Sequence, residues 1–124
     1  MKLTVQTRIE KPIYEQLYSQ IVSQILCGTI TANECLPSIR LVAKELQISV
    51  IPVKTAYEML ERDGYIYTQQ GKGCYVKDLG GDLARKKQQL VEKRAQELAE
   101  FAKMVDLPAE ETISMLEKHL NDLQ

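Results

Sequence analysis

From Ser38 to Gly64 the chain reads SIRLVAKELQISVIPVKTAYEMLERDG. Apolar residues recur in this stretch twice at helical spacing. Ile39, Val42, Ala43 and Leu46 stand at i, i+3, i+4 and i+7, one face of a helix. Val53, Ala56, Tyr57 and Leu60 repeat the spacing. Ser38 is placed to cap the first helix, its hydroxyl accepting from a free backbone N–H. Pro52 falls in the first turn of the second helix, where a missing N–H leaves no gap. Gln47-Ile48-Ser49 separates the two, and Gly64 after Asp63 is a stop. Two short amphipathic helices in tandem across a tight turn are the outline of a helix-turn-helix, whose second helix is offered to a groove.

The flanking residues extend this outline. Tyr65-Ile66-Tyr67-Thr68 and Cys74-Tyr75-Val76 are rich in aromatic and β-branched side chains and read as strands. Between them, Gln69-Gln70-Gly71-Lys72-Gly73 makes a flexible hairpin tip with an exposed cation. A hairpin directly after a helix-turn-helix is a wing. Upstream, Leu3-Thr4-Val5 reads as a short extended lead-in. Pro12 opens a helix in which Tyr14, Leu17, Tyr18, Ile21 and Ile25 share a face, and Gly28 closes it. Thr29 to Leu36 reads as a loop or short strand. Downstream, Leu79-Gly80-Gly81 marks a linker. Asp82 to Val105 lacks glycine and proline and is dense in helix formers, with Leu90, Val91, Ala95, Leu98, Ala102 and Val105 as its stripe. Pro108 starts a last helix, with Glu110 and Glu111 near its positive end and Ile113, Leu116, Leu120 and Leu123 on one face. The expected fold is mainly α with a small β wing: a winged helix-turn-helix over residues 1–78 and a C-terminal helical hairpin over residues 79–124. The hairpin is too small to bury both stripes internally. Leu90, Val91, Leu98, Phe101, Val105, Ile113, Leu116 and Leu120 are therefore expected to join two copies in a homodimer.

Composition narrows the function. The 124 residues are 44% hydrophobic and 27% charged, as in a soluble globular protein. The apolar stretches are too short to cross a bilayer, and Met1 to Glu10 lacks the apolar core of a secretory signal, so a cytoplasmic protein is expected, without a membrane partner. The net charge of −1 and a pI near 5.9 argue against coating nucleic acid by bulk charge. Met1 to Asp78 carries nine Lys/Arg against eight Asp/Glu, so any DNA contact rests on the geometry of the motif. Cys27, Cys35 and Cys74 are an odd, loosely spaced set, read as reduced, small, semi-buried side chains rather than a disulfide framework, with redox sensing the weaker alternative. The single histidine, His119, is far from all three in sequence, so no metal or cofactor is expected. The sequence shows no paired carboxylates in a motif and no nucleophile–base arrangement, so no enzyme is expected. Phe101 and His119 are read as packing and solvent-exposed residues, because a tail of about 45 residues encloses no sizeable pocket. An effector is left unassigned.

At this point the sequence resembles the GntR family of bacterial regulators, over about Pro12 to Lys77. The resemblance is carried by Pro12-Ile13-Tyr14-Glu15-Gln16, Leu36-Pro37-Ser38-Ile39-Arg40, the run from Ala56 to Ile66, and Gly71-Lys72-Gly73-Cys74-Tyr75-Val76, in this order and spacing. The short two-helix tail is similar to that of the YtrA-type subfamily. The resemblance implies a homodimeric repressor that binds an operator in double-stranded DNA, often of a transporter operon. The chain departs from the family at Ser49-Val50-Ile51-Pro52-Val53, where many relatives carry a polar or basic residue and a threonine. That removes possible donors to phosphates or bases.

The expected DNA-facing set is Ser38, Arg40, Ser49, Val50, Ile51, Lys54, Gln70, Gly71, Lys72 and Gly73. Arg40 lies off the apolar stripe of its helix, and the resemblance implies contact with a phosphate or a base edge; the alternative is a solvated arginine. Lys54 can reach a phosphate or guanine acceptors in the major groove. Glu58 shares part of that surface and would be repelled by phosphates, so only the first turn of the helix is expected to enter. Val50 and Ile51 either touch thymine methyl groups or divide between core and surface. Lys72 between two glycines suits a narrow minor groove, or is an ordinary hairpin turn. A different function class, a winged helix that binds protein, has the near-neutral charge and the apolar Val50-Ile51 in its favour.

Overall fold

The computed structural model describes residues 1–123. The chain divides into two compact units, Met1–Leu83 and the residues from Ala84 onward. The first contains α1 (Ile13–Leu26), α2 (Ile39–Leu46), α3 (Val50–Arg62) and a hairpin of β1 (Ile66–Gln69) and β2 (Gly73–Val76). A 3-10 turn at Gly80–Asp82 stands where the linker was expected. It leads into α4 (Leu83–Met104), which is followed by α5 (Ala109–Asp122). The fold is the expected one, mainly helical with a small antiparallel wing. Boundaries move by a residue or two. Pro12 precedes α1 instead of beginning it, Tyr65 lies before β1, and α4 ends at Met104.

In the first unit α3 packs against both α1 and α2. Its stripe of Val53, Ala56, Tyr57 and Leu60 is buried, at 0–4% exposure, against a core that includes Leu17 and Ile21 of α1 and Val42 and Ala43 of α2. The strands pair antiparallel, Ile66 opposite Val76 and Gln69 opposite Gly73, which puts Ile66 and Val76 on the core face. Tyr67 and Tyr75 stack on the other face with centroids 5.6 Å apart. The segment before α2 adds a third, short edge to this sheet: Cys35 bridges Tyr75, and Leu36 N–H donates to the Cys74 carbonyl at 2.8 Å. The stretch read as loop or strand is thus a single-bridge strand.

Three helix ends use the same closing geometry. After α3, Gly64 adopts φ +82°, with Tyr65 N–H donating to Leu60 O and Gly64 N–H to Glu61 O, the left-handed stop read from the sequence. After α2 the left-handed residue is Gln47 (φ +57°), and after α4 it is Asp106 (φ +57°). Their bonds match: Ile48 N–H to Ala43 O, and Leu107 N–H to Ala102 O. Neither site carries the glycine that would have announced it.

The lead-in is held by a ladder that sequence reading did not find. Gln16, Gln20 and Gln24, spaced by four along α1, each grip the backbone of an alternate residue upstream. Gln24 bonds to both backbone groups of Lys2, Gln20 to those of Thr4, and Gln16 to those of Gln6, at 2.6–3.3 Å. Four residues of helix rise about 6.0 Å and two of strand about 6.6 Å, so the repeats stay in step. Gln16 also donates to Lys11 O at 2.8 Å, which satisfies this buried amide.

The second unit has little core of its own. Ala102 is its buried residue, and Leu90 is half-buried. Val91, Leu98, Phe101, Val105, Ile113, Leu116 and Leu120 are exposed, at 41–68%. Phe101, at 61%, is not a core residue of the chain, and His119 is exposed as expected. Gln124, the last residue of the expected tail, lies outside the described residues. Among the described residues no helix is long and apolar enough to cross a membrane.

Candidate nucleic-acid interface

The residues singled out for DNA are placed by three elements, and Leu36-Pro37-Ser38 is where these meet. Leu36 N–H donates to the Cys74 carbonyl on β2. The Pro37 carbonyl accepts from the Tyr57 hydroxyl of α3 at 2.7 Å. Ser38 Oγ accepts from Leu41 N–H at 3.1 Å and so caps α2. Three consecutive residues thus tie the wing, α3 and α2 together. Glu61 of α3 adds a second tie to the wing, accepting from the Thr68 hydroxyl at 2.9 Å. Sequence reading placed Tyr57 on the core stripe but did not see its hydroxyl as a link; a tyrosine on an apolar face was the available signal, since a buried phenol needs a partner.

On this frame Arg40 is exposed in the first turn of α2. Ser38 is also exposed, but its hydroxyl is engaged in the cap. Ser49 stands at the N-cap position of α3 with no side-chain capping bond. Val50 and Ile51, 46% and 70% exposed, follow it, so neither belongs to the core and the split between core and surface does not hold. Lys54 and Glu58 are exposed further along the same helix. At the wing tip Gln70, Gly71, Lys72 and Gly73 are all exposed. Lys72 N–H donates to Gln69 O at 2.9 Å, closing a turn whose third residue, Gly71, has φ +78°. A side chain would be strained there, which is why a glycine precedes the lysine.

One further tyrosine braces the frame. The Tyr18 hydroxyl of α1 donates to Asp63 Oδ2 at 2.5 Å, and Arg62 pairs with the same carboxylate through Nε–Oδ1 at 3.0 Å. Burial, and then the bond to Asp63, push the Tyr18 phenol well above its usual range. Burial does the same to Tyr57, helped by the nearby Cys74 and Cys35 thiols. Both are held as neutral hydrogen-bond donors. All three cysteines are free, but Cys27 and Cys35 are exposed and only Cys74 is half-buried. The semi-buried expectation fails for the first two because Cys27 lies in the turn after α1 and Cys35 pairs at the sheet's outer edge.

Residues 13–76 match the model of the bacterial regulatory proteins of the gntR family. The chain belongs to the GntR family. This is a family of regulatory proteins rather than enzymes. The chain is 33% identical over 76 residues to the HTH-type transcriptional repressor YtrA of Bacillus subtilis, covering 61% of this chain and 58% of that one. It therefore spans less than two thirds of that GntR relative. A GntR family transcriptional regulator from Listeria monocytogenes superposes with a TM-score of 0.74 at 26% identity, covering 88% of this chain and 96% of that one. AraR(DBD), solved in complex with operator ORX1, shares the fold over 61% of this chain and 95% of that one, with a TM-score of 0.54 at 24% identity.

Proposed function

We propose that this GntR protein is a transcription repressor that binds a palindromic operator as a homodimer and controls a transporter operon. The observation that carries the DNA reading is the exposed leading turn of α3. Val50 and Ile51 project where no core claims them, with Lys54 one turn on, on a helix fixed to α2 and the wing through Leu36-Pro37-Ser38. Apolar side chains in a major groove read thymine methyl groups, and lysines there reach phosphates or guanine. Arg40 and Lys72 supply cations from α2 and the wing tip, and Ser38, Ser49, Gln70, Gly71 and Gly73 complete the surface. The operator in the AraR complex and the repressor role of YtrA support this reading. The dimer rests on the exposed apolar side chains of α4 and α5, a set far larger than single exposed residues need explain. Residues 1–78 would act as the DNA-binding domain and 79–124 as the dimerisation segment, in the cytoplasm.

The test is selection of duplexes by the full chain from a random-sequence pool, followed by anisotropy titration of the selected duplex. A two-fold-symmetric site bound in a salt-sensitive manner is expected. Failure to enrich any duplex would overturn the reading in favour of a protein-binding winged helix. Light scattering should give the mass of two copies at micromolar concentration, and a monomer would remove the dimer.

A further inference from the structure

We infer that residues 2–6 form a backbone-read strap that holds α1 to α2, and that its attachment sets the affinity of the helix-turn-helix for DNA. The inference rests on the DNA-binding reading above. The strap is strand-like: Leu3 and Val5 are half-buried while Lys2, Thr4 and Gln6 leave their side chains in solvent. The even-numbered residues contribute only their N–H and C=O, and each pair is met by one glutamine amide that both donates and accepts. An amide does both at once through two separate atoms, Nε2 and Oε1; a carboxylate only accepts, and an ammonium only donates.

On its inward side the strap reaches the other helix. Leu3 lines one shallow cavity with Pro37, Val42 and Leu46. Val42 is part of the buried face of α2, and Pro37 is the residue whose carbonyl holds Tyr57. The strap therefore links α1 to α2 by a route that bypasses α3. It ends beside the junction that aligns α2, α3 and the wing. Detaching it leaves the α3 core intact but frees α2 to shift at that junction. A fraction of molecules then lacks the aligned surface, and the apparent affinity falls by that fraction. Because the recognition is of backbone, the side chains at Lys2 and Thr4 are interchangeable, but the N–H at residue 4 is not.

The experiment compares the full chain with Gln20→Ala/Gln24→Ala, with Thr4→Pro and with Thr4→Ala. Alanine keeps the helix and removes the outer two amides, proline removes one N–H from the strap itself, and Thr4→Ala keeps every backbone group. Hydrogen exchange of the peptide over residues 1–10 reads the latch, the thermal melt reads the core, and anisotropy with the selected duplex reads function. The double variant and Thr4→Pro should exchange faster and bind on the order of tenfold more weakly, with a cooperative melt retained, while Thr4→Ala matches the parent in all three. Faster exchange with unchanged affinity would overturn the strap's role in binding. Unchanged exchange in both variants would overturn the latch. If the parent enriches no duplex, the DNA-binding reading fails, whereas the exchange arm still decides whether the latch exists.

Discussion

Removing the Tyr57 hydroxyl tests the junction directly. The ring is 4% exposed on the face of α3 that meets the core, and its hydroxyl donates to the Pro37 carbonyl at 2.7 Å. Tyr57→Phe keeps the ring and deletes that bond, which costs about 1 kcal/mol for a typical intramolecular hydrogen bond. For a unit of this size that lowers the melting temperature by about 4–8 °C. Tyr57→Ala also removes the buried ring, at a cost of roughly 3–5 kcal/mol, a large share of the roughly 5–15 kcal/mol that holds a domain together. The assay is a pair of thermal melts by circular dichroism, each followed by a DNA titration at a temperature where the variant is folded. Tyr57→Phe should melt slightly lower and bind a few-fold more weakly, because α3 is no longer tied to the segment that leads into α2 and fewer molecules present the aligned surface. Tyr57→Ala should melt far lower. If Tyr57→Phe matched the parent in both measurements, the junction would not couple the elements. If Tyr57→Ala melted like the parent, the face of α3 assigned to the core would be the wrong one.

The exposed cations make a contrasting prediction: Arg40→Ala and Lys72→Ala should leave the melt within about 0.5 kcal/mol of the parent yet weaken binding, and each phosphate no longer neutralised should flatten the plot of log K against log salt by about 0.9; unchanged titrations would remove these residues from the interface. Gln47→Gly should raise stability by about 0.5–1 kcal/mol, because glycine relieves the left-handed cost at φ +57° and returns part of that gain to the freer unfolded chain; a lower melting temperature would contradict the strain. Tyr18 and Tyr57 both lie above the ordinary phenol value of about 10. The folded protein therefore keeps these protons after the unfolded chain has lost them, and stability is full below about pH 10 and falls as the pH rises above it. Melts across that range should show the fall, with a shallower slope in Tyr18→Phe and Tyr57→Phe; equal slopes in all three proteins would show that the unfolding does not report these phenols.

The sequence by itself determined the helices, the wing and their order, because period and punctuation are local. Val53, Ala56, Tyr57 and Leu60 declare a buried face by spacing alone, Gly64 marks a helix stop and Gly71 a hairpin tip, and both glycines take positive φ. It also determined which residues belong to the family's motif. Other features have no local signature. Gln47 and Asp106 take left-handed turns without glycine: at Gln47 the packing of α2 on α3 outweighs a cost of about 1–2 kcal/mol, and aspartate is one of the few residues that visits this region readily. Val50 and Ile51 could equally have been core by composition, and only the docking of α3 on α1 and α2 leaves both in solvent. The pairing of Gln16, Gln20 and Gln24 with residues 2–6 needs the chain to fold back antiparallel to α1, so a glutamine every fourth residue carries no message until that segment is in place. Leu36-Pro37-Ser38 is mixed: Ser38 announces its cap on α2, but only the tertiary structure brings β2 to the Leu36 N–H and α3 to the Pro37 carbonyl. Spacing along the chain specifies faces. What those faces meet depends on packing between residues far apart in the chain, which a single sequence does not encode in any local pattern.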